Sequence, residues 1–176
     1  MATTYLVDGY NLMHRSYREF LSNASLEEAR DRLIAELTRF QHHAGGTHVI
    51  LVFDGRSGVP GARVGKTAFQ VLFSRGPETA DDVILDLCRK MEGRGGRVVV
   101  VTSDLQDIGF RISGLSCEHQ TSEEFARDVG RVAENSARGG GRRAPTSGEA
   151  EKPTRSSQKE TDEWLREFGL HPDEDS

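Results

Sequence analysis

Three aspartates stand where apolar runs stop. Asp8 closes Tyr5-Leu6-Val7, Asp54 closes "HVILVF", and Asp104 follows "VVVVTS"; a fourth and fifth, Asp81 and Asp82, end "RGPETADD". In open α/β sheets, ligands bind beyond the carboxyl ends of the strands. If the strands before these acids are parallel, at least three carboxylates from distant segments arrive at one edge. Two like charges ~4 Å apart repel by about 4 kcal/mol at an effective dielectric near 20. A shared proton, a base or a divalent cation relieves such a cluster. His14 is the one Lys or His among these motifs, so a hard, oxygen-seeking cation is the simplest resolution. Mg²⁺ or Mn²⁺ suits an all-carboxylate set with retained waters better than Zn²⁺ does. The chemistry that such sites support is phosphoryl transfer, in which the metal activates water and stabilises the leaving oxygen.

Each acid also has a plainer reading. Asp82 is the third residue after Thr79 and suits a helix cap, and Asp107, four residues after Ser103, is discounted in the same way. Asp104 would favour a helix N-terminus through the dipole. Asp54, before Gly55, suits a turn. Asp8 is the hardest to explain away, because it ends an apolar strand at the functional end of a sheet. Taken together, the acids point to a site more strongly than any one of them does.

The elements that must position them are legible as alternating patterns. Strands are expected at 4–7, 48–53, 68–73, 97–101 and, more weakly, at "GLSCE" (114–118). The continuous apolar runs of the second and fourth fit strands covered on both faces, as in parallel sheets. Helices are expected from Ser25 with Glu28, from Thr79 with Asp82 and from Thr121 with Glu124, each pair spaced as a capping box. Their apolar periods are Leu26, Ala29, Leu33, Ile34, Leu37, Phe40; Val83, Ile84, Leu87, Cys88, Met91; and Phe125, Val129, Val132, Ala133. A shorter helix is expected after Ser103. The alternation predicts a doubly wound α/β sandwich.

Composition bounds the rest. The 176 residues suffice for one α/β domain and a tail, and a hydrophobic content of 35% places part of the length outside a core. The net charge is −5, but residues 160–176 hold seven acids and one base, a net −6, which leaves about +1 for residues 1–159. Cys88 and Cys117 show no metal-ligand or redox-motif spacing and read as reduced structural thiols. Neither a signal peptide nor a membrane-spanning run is read, so a soluble cytoplasmic protein is expected. Residues 1–137 are expected to form the domain. Residues 138–157, rich in Gly, Arg, Ser and Pro, read as a flexible linker. Residues 158–176 read as a short helix with Trp164, Leu165 and Phe168 on its apolar face, then an acidic tail.

"LVDGYNLMH", "VILVFDG", "FSRGPETADD" and "VVVVTSD", in that order, closely resemble the YacP-like branch of the NYN-domain family, within the PIN-like nucleases. The resemblance spans roughly residues 4–170 and includes the Ser-x-Glu-Glu-Ala-Arg start of the first long helix. It implies a PIN-like three-layer α/β/α sandwich with a central, mainly parallel sheet. It also implies a Mg²⁺- or Mn²⁺-dependent endoribonuclease acting in mRNA decay or RNA processing. Carried over by position, Asp8, Asp81 and Asp104 would bind the metal, with Asn11 placing the phosphate or a metal-bound water. Asp54 would support them nearby. The family usually reads Thr-Ala-Asp-Glu where this chain has Thr79-Ala80-Asp81-Asp82, so Asp82 is the less secure ligand. The implied partner is RNA, mRNA foremost, with the ribosome as a candidate scaffold, no membrane and no nucleotide cofactor.

Candidate substrate contacts are Tyr10, by stacking on a base, and Arg56, Arg63, Lys66 and Arg75, by meeting the phosphodiester backbone. Tyr10 would equally pack under its loop, and the bases would equally be solvated loop residues. "GKT" at 65–67 is not a P-loop: Pro60 stands where the motif needs Gly, and a strand follows where it needs a helix. Arg138, Arg142 and Arg143 among glycines fit either an RNA-binding tail or plain linker. His14 carries no assigned chemistry. The alternative to catalysis is an NYN module that grips RNA or a ribonucleoprotein without cutting it. A phosphoacceptor receiver domain fits poorly, because "SCEHQTS" offers no Lys.

Overall fold

The computed structural model describes residues 2–22, 24–55, 68–104, 108 and 110–139. Five strands, β1 (Thr3–Asp8), β2 (Thr47–Phe53), β3 (Phe69–Phe73), β4 (Arg97–Val101) and β5 (Glu118–Gln120), form one sheet in the order β3-β2-β1-β4-β5. Every pairing is parallel. The helices are α1 (Gly9–Ser16), α2 (Arg18–Ser22), α3 (Leu26–His43), α4 (Ala80–Met91), α5 (Phe110–Ile112) and α6 (Ser122–Gly139).

Strand periodicity builds the three layers. Successive side chains point to opposite faces, so Val7, Val49, Leu51, Phe53, Val99 and Val101 join a core with residues of α1, α3 and α6. Leu6, Ile50, Val52 and Val100 join a second core with Ile84, Leu85, Leu87 and Cys88 of α4. Both faces are buried, which is why the central strands are almost wholly apolar. The expected PIN-like three-layer α/β/α sandwich with a parallel sheet is therefore the fold. Among the described residues, no helix is long and apolar enough to cross a membrane.

The three capping pairs all form. Glu28 and Ser25 exchange hydrogen bonds at the start of α3, Asp82 and Thr79 at the start of α4, and Glu124 and Thr121 at the start of α6. Leu26, expected on the apolar face of α3, is instead 48% exposed, because it stands at the first helical position, above the layer. Cys88 is buried in the α4-side core and Cys117 packs against it, both as free thiols.

Four expectations are corrected or fall elsewhere. The weak fifth strand was placed at 114–118, but β5 runs Glu118–Gln120. The preceding residues turn back, Leu115 donating to the Ile112 carbonyl at 2.9 Å, and Leu115 and Cys117 pack against the α4-side core rather than pairing. The stretch after Asp8, expected to be the loop that carries Tyr10, is instead helical: α1 starts at once, with Leu12 and Met13 fully buried. α6 continues to Gly139, past the expected limit at 137. The short helix after Ser103 is found at Phe110–Ile112, while Asp107, the linker and the segment 158–176 lie outside the described residues.

Candidate active site

The parallel sheet sends β1, β2 and β4 to one edge with their carboxyl ends together, and the acids follow from strand phase. Asp8 lies two residues beyond Leu6, and Asp54 two beyond Val52, so both continue the α4-facing row. The N-terminus of α4, carrying Asp81, arrives on that same side.

β1 passes into α1 without a loop, and Asp8 is the hinge between them. Its Oδ1 accepts the backbone N–H of Asn11 at 2.9 Å, so the carboxylate caps the helix. The close passage requires Gly9: a Cβ there would lie 2.3 Å from the Phe53 ring. Burial pushes the Asp8 carboxyl above its ordinary range. The N–H groups of Asn11 and Tyr10 pull it down, and the charges of Asp54 and Asp104 push it further up. Asp8 is thus half-buried and pushed upward by two further acids.

Asp54 anchors α4. Its Oδ1 accepts the Ala80 N–H at 2.6 Å and lies 3.4 Å from the Ser74 hydroxyl, which in turn accepts the Gly55 N–H at 3.0 Å. A Cβ at Gly55 would lie 1.9 Å from the Ser74 carbonyl oxygen, so the "DG" after β2 is a packing requirement. Asp81, half-buried, follows directly on Ala80, and Asp104, exposed, stands beyond β4 with its N–H on the Thr102 hydroxyl at 3.1 Å.

Asn11 is a junction. Its Oδ1 accepts both the Ser103 N–H and the Ser122 hydroxyl, each at 2.8 Å, joining α1 to the end of β4 and to the start of α6. With the oxygen so occupied, the amide NH₂ is fixed on the other side. Ser103 and Ser122 were not singled out from the sequence. The signal for them was the repeated Thr-Ser before an acid, in "TSD" and "TSEE".

The remaining candidates separate. Asp82 completes the cap of α4 and pairs with Arg111 at 2.8 Å. The Arg111 contact first, then the Thr79 groups, hold its carboxyl below the usual range. Tyr10 lies half-buried with its ring 5.1 Å from Phe53, which stacks on Phe73 at 5.7 Å. The Arg30 guanidinium, itself buried, covers the Phe73 ring at 5.6 Å. Arg75 is exposed just beyond β3. His14 is exposed on α1 and its carbonyl accepts from Arg18 Nε. Arg56, Arg63 and Lys66, with "GKT", lie outside the described residues.

Among the described residues, no three His, Cys, Asp or Glu side chains stand close enough together to form a finished ion cage. The donor chemistry itself is that of a hard cation: carboxylates only, with Asp8 and Asp81 half-buried and Asp104 open to water. Mg²⁺ is commonly held by one or two carboxylates, with waters and substrate phosphates completing its shell, and Asp8 with Asp81 and Asp104 fits that pattern.

The chain is similar to the protein YacP of Bacillus subtilis (strain 168), 33% identical over 128 residues, which is 70% of this chain and 73% of that one. It is also similar in structure to Rae1 (YacP) from Bacillus subtilis. One crystal structure of that protein matches with a TM-score of 0.65 and 28% identity over 78% of this chain and 79% of the other. That of a single-substitution mutant matches with a TM-score of 0.65 and 29% identity over 78% and 80%. Residues 5–168 match the model of the YacP-like NYN domain. With its acids at the carboxyl edge of a PIN-like, nuclease-type fold, the chain belongs to the YacP-like NYN domain family.

Proposed function

We propose that this protein is a Mg²⁺- or Mn²⁺-dependent endoribonuclease that hydrolyses phosphodiester bonds of RNA, mRNA foremost, in the cytoplasm. The observation that carries the reading is the placement of Asp8. It is half-buried at the end of β1, under the like charges of Asp54 and Asp104 from the neighbouring strands. Such an arrangement costs stability when empty and is relieved by a divalent cation. A bound cation would activate water and stabilise the leaving oxygen.

The chain's own residues then have distinct tasks. Asp8, Asp81 and Asp104 would hold the cation. Asp54 fixes the first turn of α4, and with it Asp81, through the Ala80 N–H. Asn11, its oxygen held by Ser103 and Ser122, presents its amide NH₂ to orient a phosphate oxygen. Arg75, exposed at the same end of the sheet, would meet the flanking backbone and contribute affinity without sequence preference. Tyr10 would offer what its packing on Phe53 leaves open as a stacking edge.

The test is cleavage-site mapping on cellular mRNA, with and without ribosomes, comparing wild type with Asp8→Asn. Discrete cuts that need Mg²⁺ or Mn²⁺ and vanish in the variant are expected. Full activity of Asp8→Asn, or cutting in excess EDTA, would sink the assignment. Salt-sensitive RNA binding with no cutting under any metal would instead identify a binding module.

A further inference from the structure

α3 and α6 leave a cleft of about 170 Å³ between their C-terminal halves, lined by Phe40, Val129, Val132 and Ala133, with Glu36, Arg39 and His43 of α3 on its rim. Phe40 belongs to an aromatic cluster: its ring lies 5.4 Å from Phe125, and Tyr5 contacts both rings, at 5.8 and 5.0 Å. Both helix C-termini lie at the amino end of the sheet, because α3 leads into β2 and α6 starts beyond β5. The cleft is therefore remote from the acids.

We infer that this cleft is the docking site of the chain's own C-terminal segment, residues 158–170, with the indole of Trp164 seated in it. Four observations point to that occupant. First, α6 ends at Gly139, about 15 Å of helix beyond Val129. The 18 residues 140–157 would span ~23 Å r.m.s. as a flexible coil. Such a linker is long enough to return the segment to the cleft. Second, Trp164 and Phe168 are spaced i, i+4 and Leu165 adjoins them, the sequence pattern of a segment that would have one apolar face as a helix. The cleft has room for about one large side chain of that face. Third, the rim suits the polar edge of an indole: Arg39 is already paired with Glu36 there, so its charge is balanced. The Ser136 hydroxyl, donating to the Val132 carbonyl at 2.9 Å, keeps lone pairs free for the indole N–H. Fourth, the family match runs to residue 168 and so counts the segment with Trp164 as part of the domain.

Trp164 is the chain's one tryptophan, so the intact protein reports on it directly. Its fluorescence emission should be blue-shifted from that of N-acetyltryptophanamide and several-fold less accessible to acrylamide, and unchanged on dilution. Ala133→Arg, on the exposed lip of the cleft, should move emission and quenching to the free values. Asn135→Arg, an exposed position on the same helix outside the cleft, should leave both unchanged. Solvent-like emission in the wild type would overturn the proposal. So would a blue shift that survives Ala133→Arg, which would place the indole elsewhere, or one lost on dilution, which would make the occupant a second copy.

Discussion

The Asp54 carboxylate accepts the backbone N–H of Ala80 at 2.6 Å, binding the end of β2 to the first turn of α4 one residue before Asp81. Asp54, which the family resemblance casts as a support residue, thus contacts the turn that carries Asp81. Replacing Asp54 with Ala should cost about 1–2 kcal/mol, as for loss of a helix cap or a charge-assisted hydrogen bond. It should also lower cleavage, because Asp81 loses its anchor. Asp54→Asn keeps an acceptor and should recover most of the stability. Thermal melts of the three proteins, beside RNA cleavage rates, would decide. A fall in activity for both variants with no loss of Tm would instead mark Asp54 as a ligand.

Asn11 should prove structural and functional at once. Asn11→Ala strips the acceptor from the Ser103 N–H and from the Ser122 hydroxyl, whose residue is fully buried. Leaving buried donors without partners costs about 1–3 kcal/mol, so a lower Tm is expected along with lost cleavage. Asn11→Asp keeps an oxygen for both serines but replaces the NH₂ with a charge beside the acids. Cleavage should then be lost with less change in fold at acid pH. Equal melting of Asn11→Ala and wild type would refute the junction.

The strands and long helices were legible because burial writes directly into sequence: two covered faces leave continuous apolar runs, and capping needs Thr or Ser three residues before Glu or Asp. The acids were legible for the same reason, since a charge after such a run has few structural excuses. What escaped was short or relational. α1 has only eight residues, and its two fully buried side chains, Leu12 and Met13, are adjacent and define no period. Asn11 meets Ser103 and Ser122 across separations of 92 and 111 residues, which no local pattern encodes. Gly55 read as part of a turn and Gly9 drew no reading, whereas the Ser74 carbonyl oxygen and the Phe53 ring leave no space for a Cβ at either.

Asp81 and Asp82 are neighbours with different work, and paired variants should separate them. Asp82 is committed to Thr79 and Arg111. Asp82→Ala should therefore lower Tm modestly and leave cleavage close to wild type. Asp81→Asn should do the reverse, with a loss beyond the ~10–100-fold typical of removing an outer-shell partner of a metal. Inactivation by Asp82→Ala with intact Mg²⁺ binding at Asp81 would reverse the assignment.

Asp8 sets the sign of the pH dependence. Burial, and then Asp54 and Asp104, raise its carboxyl above the ordinary value, so the folded chain holds this proton more tightly than the unfolded one. Below the ordinary carboxylate range both states are protonated and this contribution to stability is fully present. It drains as pH rises through that range and on through the raised native value, because the unfolded chain ionises first. Asn is as good an N-cap as Asp, so Asp8→Asn removes the charge and keeps the hydrogen bond to Asn11. In metal-free buffer the variant and wild type should melt alike in acid, with the variant the more stable at neutral pH. Mg²⁺ should then close the gap from the wild-type side only, by about 2.7 kcal/mol at a hundred times its dissociation constant. A variant less stable than wild type at neutral pH without metal, or stabilised equally by Mg²⁺, would show that Asp8 caps α1 and does nothing more.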